Sequence, residues 1–174
     1  NPPPHFSWAG SQEGLNMAII RNCVAAFACL GMVSPVLANP ITSPAVGDPV
    51  TATASFTSSI SGQSIFHTCH YQSMTGTVTG VDTITFVSGT SSDCPVSAGP
   101  GAISFPLIVR TTSTTQVKVD VLQLGSLAGY CTRSNVAFSW NNATSTAASG
   151  PQFMGVCTLQ SASMTVTPSV VIAP

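Results

Sequence analysis

One short run, His67-Thr68-Cys69-His70, contains the side-chain types that metal sites and catalytic sites use. Imidazole nitrogens and a thiolate sulfur bind zinc, and a histidine can act as a catalytic base. The flanking residues favour an extended strand, in which successive side chains point to opposite faces. His67 and Cys69 then share one face and His70 lies on the other, so the three cannot converge on one ion without a β-bulge. We therefore predict no metal and no cofactor here.

Carboxylates for general acid and base chemistry are scarce. Residues 39–174 contain Asp48, Asp82, Asp93 and Asp120, and they contain no glutamate. A hydrolase needs a nucleophile, a base and an orienting carboxylate within reach of one another, and no Gly-x-Ser-x-Gly elbow or paired-acid motif accompanies these aspartates. The sequence thus offers no catalytic residue, and we predict that the protein is not an enzyme. A hydrolase built from a histidine and one of the aspartates is the alternative.

Four cysteines lie in the same part of the chain: Cys69, Cys94, Cys131 and Cys157. In an exported domain, four cysteines usually form two disulfides, for which three pairings are possible. Our preferred pairing is sequential, Cys69 with Cys94 and Cys131 with Cys157, because it closes two loops of similar size. Zinc is the rival ligand, but the four cysteines include no CxxC pair.

The first 38 residues differ in composition from the rest of the chain. We interpret residues 1–16 as a translated upstream segment and residues 17–38 as a signal peptide, with an apolar run from Cys23 to Val33 and a small-residue cleavage site ending at Ala38. The run of roughly 11 residues is too short to cross a bilayer, which needs about 20. We therefore predict a bacterial protein that is secreted or held at the cell surface. Residues 39–174 would form its single domain, without an integral membrane segment.

Apolar residues in this domain recur at every second position, which is the period of a β-strand. The runs are Val50 to Phe56, Val117 to Val121, Val136 to Trp140 and Met164 to Ile172. Clusters of Gly, Pro, Ser and Asp separate them and predict turns. Pro168 cannot donate a ladder hydrogen bond, so the last run should lie at an edge or bend there. We predict an all-β fold: an antiparallel β-sandwich or flattened barrel of about eight to ten short strands.

Charged side chains are rare, because 4 Lys+Arg and 5 Asp+Glu make up 5% of the chain and leave a net charge of -1. Ordinary soluble domains contain about 25% charged residues. So few cations cannot neutralise a row of phosphates, which excludes nucleic acid as a partner. Since 44% of the residues are hydrophobic, the chain can bury a core. Serine and threonine supply 42 of residues 39–174 and can solvate the outer faces without charge.

Four aromatic residues form a candidate binding surface: Phe66, Tyr71, Tyr130 and Phe153. Aromatic rings that lie side by side on an exposed face can stack on sugars or cover apolar surfaces. An extracellular carbohydrate-binding or adhesin module is therefore an alternative function, and burial of the rings would exclude it. Trp140 continues the apolar face of Val136 and Phe138, so we predict that it belongs to the core.

The order of motifs over nearly all of the domain resembles a known family. The motifs are Cys69, Thr75-Gly76-Thr77-Val78-Thr79-Gly80, Cys94, Cys131, Ser139-Trp140-Asn141-Asn142-Ala143-Thr144, Cys157 and Thr165-Val166-Thr167-Pro168. They resemble the small exported bacterial proteins called activators of alkane oxidation, the Pra family. The resemblance implies a secreted, non-enzymatic protein that assists growth on hydrophobic substrates through emulsification, at the cell surface or in the biofilm matrix.

The composition is compatible with adsorption to such substrates. A charge-poor surface and a mean hydropathy of +0.39 present little electrostatic barrier to contact with oil or with other copies of the protein. We therefore expect the partners to be hydrophobic surfaces or matrix components, or other copies of the chain through self-association.

Overall fold

A computed structural model describes residues 38–60, 66–94, 103–126 and 129–174. The predicted upstream segment, and the predicted signal peptide up to residue 37, lie outside these residues. The described part of the chain folds into eleven β-strands without a helix, which confirms the all-β prediction. The strands are β1 (Ile41–Ser43), β2 (Pro49–Ile60), β3 (Phe66–Gly80), β4 (Thr83–Ser92), β5 (Leu107–Ser113), β6 (Gln116–Ser126), β7 (Gly129–Asn141), β8 (Thr146–Ser149), β9 (Gln152–Met154), β10 (Cys157–Thr167) and β11 (Val171–Ile172).

Eight strands close into an antiparallel barrel in the order β2-β3-β4-β5-β6-β7-β8-β10, and β10 pairs with β2 to complete the ring. Strand β9 pairs with the first residues of β10, and β1 pairs with β11 in a separate two-stranded ribbon. Several strands are longer than the short ones predicted, up to the 15 residues of β3. A closed ring leaves few free strand edges, which is the usual benefit of a barrel.

Two predicted strands differ in detail from those observed. Val117 and Val119 are buried, but Val121 is 50% exposed, and Leu122 is buried in its place. The inward and outward alternation changes phase beside Asn135 of the neighbouring strand, whose φ is 53°. The predicted last run is two strands, because β10 ends immediately before Pro168 and β11 begins after it. The chain therefore bends at that proline, one of the two outcomes expected.

The barrel interior is filled by the inward-facing side chains. Trp140 is 6% exposed and belongs to this core, as its alternation with Val136 and Phe138 predicts. The largest fully buried side chains are Phe86, Met74, Ile103, Leu107, Leu122, Met154 and Leu159. An enclosed cavity between Phe86, Trp140 and Met164 measures about 10 Å³, which is hardly enough for one water molecule. That part of the interior is a packed core and cannot hold a ligand.

The Trp-Asn-Asn-Ala-Thr motif has a structural role at one end of the barrel. Asn142 Oδ1 accepts hydrogen bonds from Trp140 Nε1 (2.8 Å) and from the backbone N–H of Ile172 (3.0 Å). Its Nδ2 donates to the carbonyl oxygen of Ile172 at 2.9 Å. Asn141 Oδ1 accepts the backbone N–H of Ala143 at 2.9 Å and so supports the turn. The motif thus holds strand β11 against the end of the barrel.

Candidate functional site

Both disulfides lie at the opposite end, which we call the disulfide end. One joins Cys69 in β3 to Cys94 beyond the end of β4, and the other joins Cys131 in β7 to Cys157 in β10. This is the sequential pairing. Cys131 and Cys157 are fully buried.

Three of the four candidate aromatic side chains are exposed at the disulfide end. Phe66 is 61% exposed, Phe153 is 62% exposed and Tyr130 is 56% exposed. We call these three residues the aromatic rim. Rings of this size rarely remain so open to water in a domain that buries most of its other large apolar side chains. The exposure of three rings near one another is the feature that most distinguishes this end.

The register of the strands places two rim residues in one row. Phe66 in β3 lies opposite Ser59 in β2, and Ser59 lies opposite Thr158 in β10. Thr158 in turn lies opposite Phe153 in β9. Side chains of directly paired residues project from the same face of a sheet. The Cα atoms of the two phenylalanines are therefore three strand spacings apart, about 14 Å measured along the curved sheet, on one outer face.

Tyr130 lies outside this row, on the other side of β9 at the start of β7. It precedes Cys131, whose disulfide partner Cys157 pairs with Met154, the neighbour of Phe153. Arg133 Nη1 donates a hydrogen bond of 2.8 Å to the carbonyl oxygen of Phe153 and fixes β9 against β7. Val156, in the turn between β9 and β10, adds another apolar side chain that is 52% exposed. Sequence reasoning missed Val156, since a single valine in a turn gives no pattern.

Tyr71 does not belong to the rim, which corrects the predicted surface. Its side chain is 2% exposed and lies edge-on to Phe56, with ring centroids 6.0 Å apart. The phenol oxygen accepts a hydrogen bond from the backbone N–H of Ile103. Tyr71 lies two residues after Cys69 in β3, so both side chains point to the same face of the strand, the interior. Burial raises the pKa of the Tyr71 phenol above its ordinary value, and the hydrogen bond from Ile103 offsets part of this.

Replacing Tyr71 by phenylalanine should lower the free energy of unfolding by about 1 to 2 kcal/mol, because the buried N–H of Ile103 loses its acceptor. A phenol whose pKa is raised on folding stabilises the fold below its unfolded pKa of about 10, and this stability is lost as the pH rises through the folded pKa. The variant should therefore lose less stability than the parent between about pH 9 and pH 12. Urea unfolding across that range measures both effects, and Tyr130→Phe on the surface is the control. Equal alkaline slopes in parent and Tyr71→Phe would contradict the assignment.

The histidines and aspartates do not assemble into a site. His67 and His70 face opposite sides of β3, as predicted, and Cys69 between them is in a disulfide. Asp120 pairs with Arg110 at 2.8 Å, and Asp82 accepts the hydroxyl of Thr83 at 2.6 Å. Within the described ranges, no hydrogen bond joins a histidine to an aspartate, and no group of three metal-binding side chains is found. The geometry brings together apolar rings, and not acid and base groups.

Charge is distributed unevenly around the barrel. The strand residues that are Lys, Arg, Asp or Glu are Arg110, Lys118, Asp120 and Arg133, in the consecutive strands β5, β6 and β7. Strands β8, β10, β2, β3 and β4 form the rest of the wall and contain none of these four residue types. We call this part the uncharged wall. Phe66 projects from it, and Phe153 projects from β9 beside it.

No helix in the described ranges is long and apolar enough to cross a membrane. Searches of curated proteins and of solved structures found no match. A family model described as alkane oxidation protein activator PraA/PraB-like matches residues 16–174, and this range includes the aromatic rim, both disulfides and the Trp-Asn-Asn-Ala-Thr motif. The chain therefore belongs to the PraA/PraB-like family of alkane oxidation protein activators.

Proposed function

We propose that this protein is a secreted, non-enzymatic activator of alkane oxidation that adsorbs to hydrocarbon surfaces through its aromatic rim. The observation that carries the proposal is the exposure of Phe66, Tyr130 and Phe153 at one end of the barrel. The family description supplies the process, since an activator that binds the oil surface could help cells to reach their substrate.

The rim provides enough apolar area to drive adsorption. Full burial of a phenylalanine side chain contributes about 1.5 to 3 kcal/mol. Phe66 and Phe153 each keep about three fifths of their surface in water, so covering both with hydrocarbon contributes about 3 kcal/mol. Tyr130 adds a ring whose hydroxyl can stay in the water, as tyrosine does at interfaces.

The electrostatics of the barrel favour the same role. Moving a charge toward oil costs hydration free energy, and net charge makes adsorbed copies repel one another. On the Phe66 side of the rim, the uncharged wall has no Lys, Arg, Asp or Glu to desolvate. On the Phe153 side, Arg133 is a charge that must stay in the water during adsorption. Its serine and threonine hydroxyls keep it soluble at a smaller desolvation cost.

Export is the second part of the proposal. Two disulfides in a small domain are typical of oxidising compartments outside the cytosol. The signal peptide proposed for residues 17–38 would deliver the domain there, to the medium, the cell surface or the biofilm matrix. Phe66 and Phe153 can meet an alkane droplet only outside the cell, so export and adsorption support each other.

The double variant Phe66→Ser/Phe153→Ser tests the adsorption. We expect it to require about a hundredfold higher concentration than the parent to produce the same fall in interfacial tension, because about 3 kcal/mol of apolar burial is lost. Pendant-drop measurements at a hexadecane and water interface give this concentration directly.

A matched control separates the rim from exposed apolar area in general. Val81→Ser/Val87→Ser removes two side chains that are 65% and 62% exposed but lie away from the rim. This variant should behave like the parent. If both double variants shift the tension curve equally, or neither does, adsorption does not use the rim and the proposal fails.

A further inference from the structure

We infer that the uncharged wall carries a binding groove for a neutral polysaccharide, formed around a β-bulge at Gln72. The groove lies on the outer face of strands β10, β2 and β3 and has a volume of about 340 Å³. It is separate from the aromatic rim and does not depend on adsorption to oil. Its polar lining consists of Thr53, Ser55, His70, Gln72, Ser163 and Thr165.

The bulge makes the groove. The ladder between β2 and β3 shifts register between Ala52 and Ala54, and the ladder between β3 and β4 shifts between Tyr71 and Ser73. Gln72 is therefore an extra residue of β3 relative to both neighbouring strands. Tyr71 points inward and is buried, whereas Gln72 and the residue after it both face outward. A bulge commonly redirects a side chain in this way at a functional site.

Hydroxyl groups elsewhere on the same wall are bonded to one another. Thr75 and Ser88 share a hydrogen bond of 2.7 Å, and Thr79 and Thr85 share one of 2.9 Å. Each of these hydrogen bonds joins neighbouring strands, uses one donor and one acceptor of the pair, and fixes the orientation of both hydroxyls. They are the arrangement expected of an ordinary polar sheet face.

The groove differs from this arrangement. The side chains of Thr53, Ser55, Ser163 and Thr165 make no hydrogen bond to another described residue, and Gln72 makes one, from Nε2 to Ser92 Oγ at 3.2 Å. Cross-strand pairing places Thr53 opposite Thr165 and Ser55 opposite Ser163. Four hydroxyls thus stand in two short rows with their donors and acceptors available.

The chemistry of this lining selects a class of ligand. Hydroxyl, carboxamide and imidazole groups can each donate and accept hydrogen bonds, which matches the hydroxyls of a sugar. The methyl groups of Thr53 and Thr165 supply the apolar contact that the C–H faces of a sugar ring need. The surrounding strands carry no Lys or Arg to attract a uronate or a phosphate. A neutral glycan chain that crosses the strands is the ligand that fits best.

Titration of the isotopically labelled protein with sugars, followed by NMR, tests the inference. The probes are cellohexaose, maltohexaose and mannohexaose, with oligogalacturonate as the anionic comparison. We expect at least one neutral hexasaccharide to shift the Gln72 side-chain amide and the backbone amides of Thr53 and Ser163. Oligogalacturonate should shift them at least about tenfold less at equal concentration.

Hydroxyl deletion then locates the site. Thr53→Val/Ser163→Ala removes two groove hydroxyls and should weaken binding at least about tenfold, whereas Thr132→Val/Ser134→Ala removes the same groups from strand β7 and should not. The rim variant Phe66→Ser/Phe153→Ser should bind sugar like the parent, so a failure of adsorption and a failure of sugar binding can be told apart. The inference is overturned if no neutral hexasaccharide binds, or if oligogalacturonate binds as tightly as the neutral hexasaccharides. It is also overturned if the two hydroxyl-deletion variants weaken sugar binding equally.

Discussion

Replacing Cys131 and Cys157 by alanine should lower the free energy of unfolding by about 3 to 4 kcal/mol or more. The bridge closes a loop with a sequence separation of 26, and a loop of this size restricts the unfolded chain by roughly that amount. Both sulfur atoms lie in fully buried residues, so alanine also leaves unfilled space in the core. Urea unfolding of the double variant, followed by circular dichroism, measures the loss.

The contacts around this disulfide in the native structure give a reason to expect a loss of stability larger than the loop entropy alone. The backbone pairing between β7 and β8 covers only Ser139 to Asn141 of β7. The disulfide end of β7 meets β9 and β10 along a seam that lies beyond this pairing. Two side chains bridge this seam: Gln152 Nε2 donates to the carbonyl oxygen of Ala137, and Arg133 Nη1 donates to that of Phe153, each at 2.8 Å. The disulfide is the covalent link across the same seam.

The other disulfide provides the comparison. Cys69→Ala/Cys94→Ala opens a loop with a separation of 25, which costs nearly the same loop entropy. It joins β3 to the residue two positions after the end of β4, and the two strands remain paired through His70 and Ser92 when the bridge is absent. We therefore expect the smaller loss of stability for this variant. Faster hydrogen exchange in β9 should accompany the Cys131→Ala/Cys157→Ala change alone, and equal losses with equal exchange would contradict a role for the seam.

The sequence predicts the strands of this fold better than it predicts the contacts between them. Alternation in Val136, Phe138 and Trp140 identifies an inward face because each strand carries its own period of two. Closure of the barrel depends instead on β2 pairing with β10, for example Thr51 with Thr167, which are 116 residues apart in the chain. No local pattern encodes such a pairing, so the sequence alone does not distinguish a sandwich from a barrel.

The same limit applies to the candidate sites. Phe66 and Phe153 could be chosen as exposed aromatics, but only the register through Ser59 and Thr158 puts them in one row. Tyr71 was misplaced, although its even spacing from Cys69 was a signal that it faces inward. The groove could not be predicted, because it depends on a single extra residue, Gln72, in two ladders at once.

One motif of the family resemblance contains two glycines, and substitution by alanine can show which of them strand packing requires. In Thr75-Gly76-Thr77-Val78-Thr79-Gly80, replacing Gly76 by alanine should lower the free energy of unfolding by about 3 kcal/mol. A Cβ atom there would lie 2.8 Å from the Cα atom of Phe86 and against the carbonyl oxygen of Thr85. Both are backbone atoms, which cannot rotate away, so β3 and β4 would have to separate beside a fully buried phenylalanine.

The second glycine of the motif is its internal control. A Cβ atom on Gly80 would meet Thr83 Cβ at 3.5 Å, an ordinary contact, and one on Gly150 would meet nothing within 4 Å. Alanine at either position should change stability by less than about 1 kcal/mol, and at Gly150 the change should be a gain because the unfolded chain loses freedom. Thermal and urea unfolding of the three variants decide the matter. If Gly80→Ala is as damaging as Gly76→Ala, the motif does not derive from the close approach of β3 to β4. If the expected order holds, the first glycine is required by strand packing.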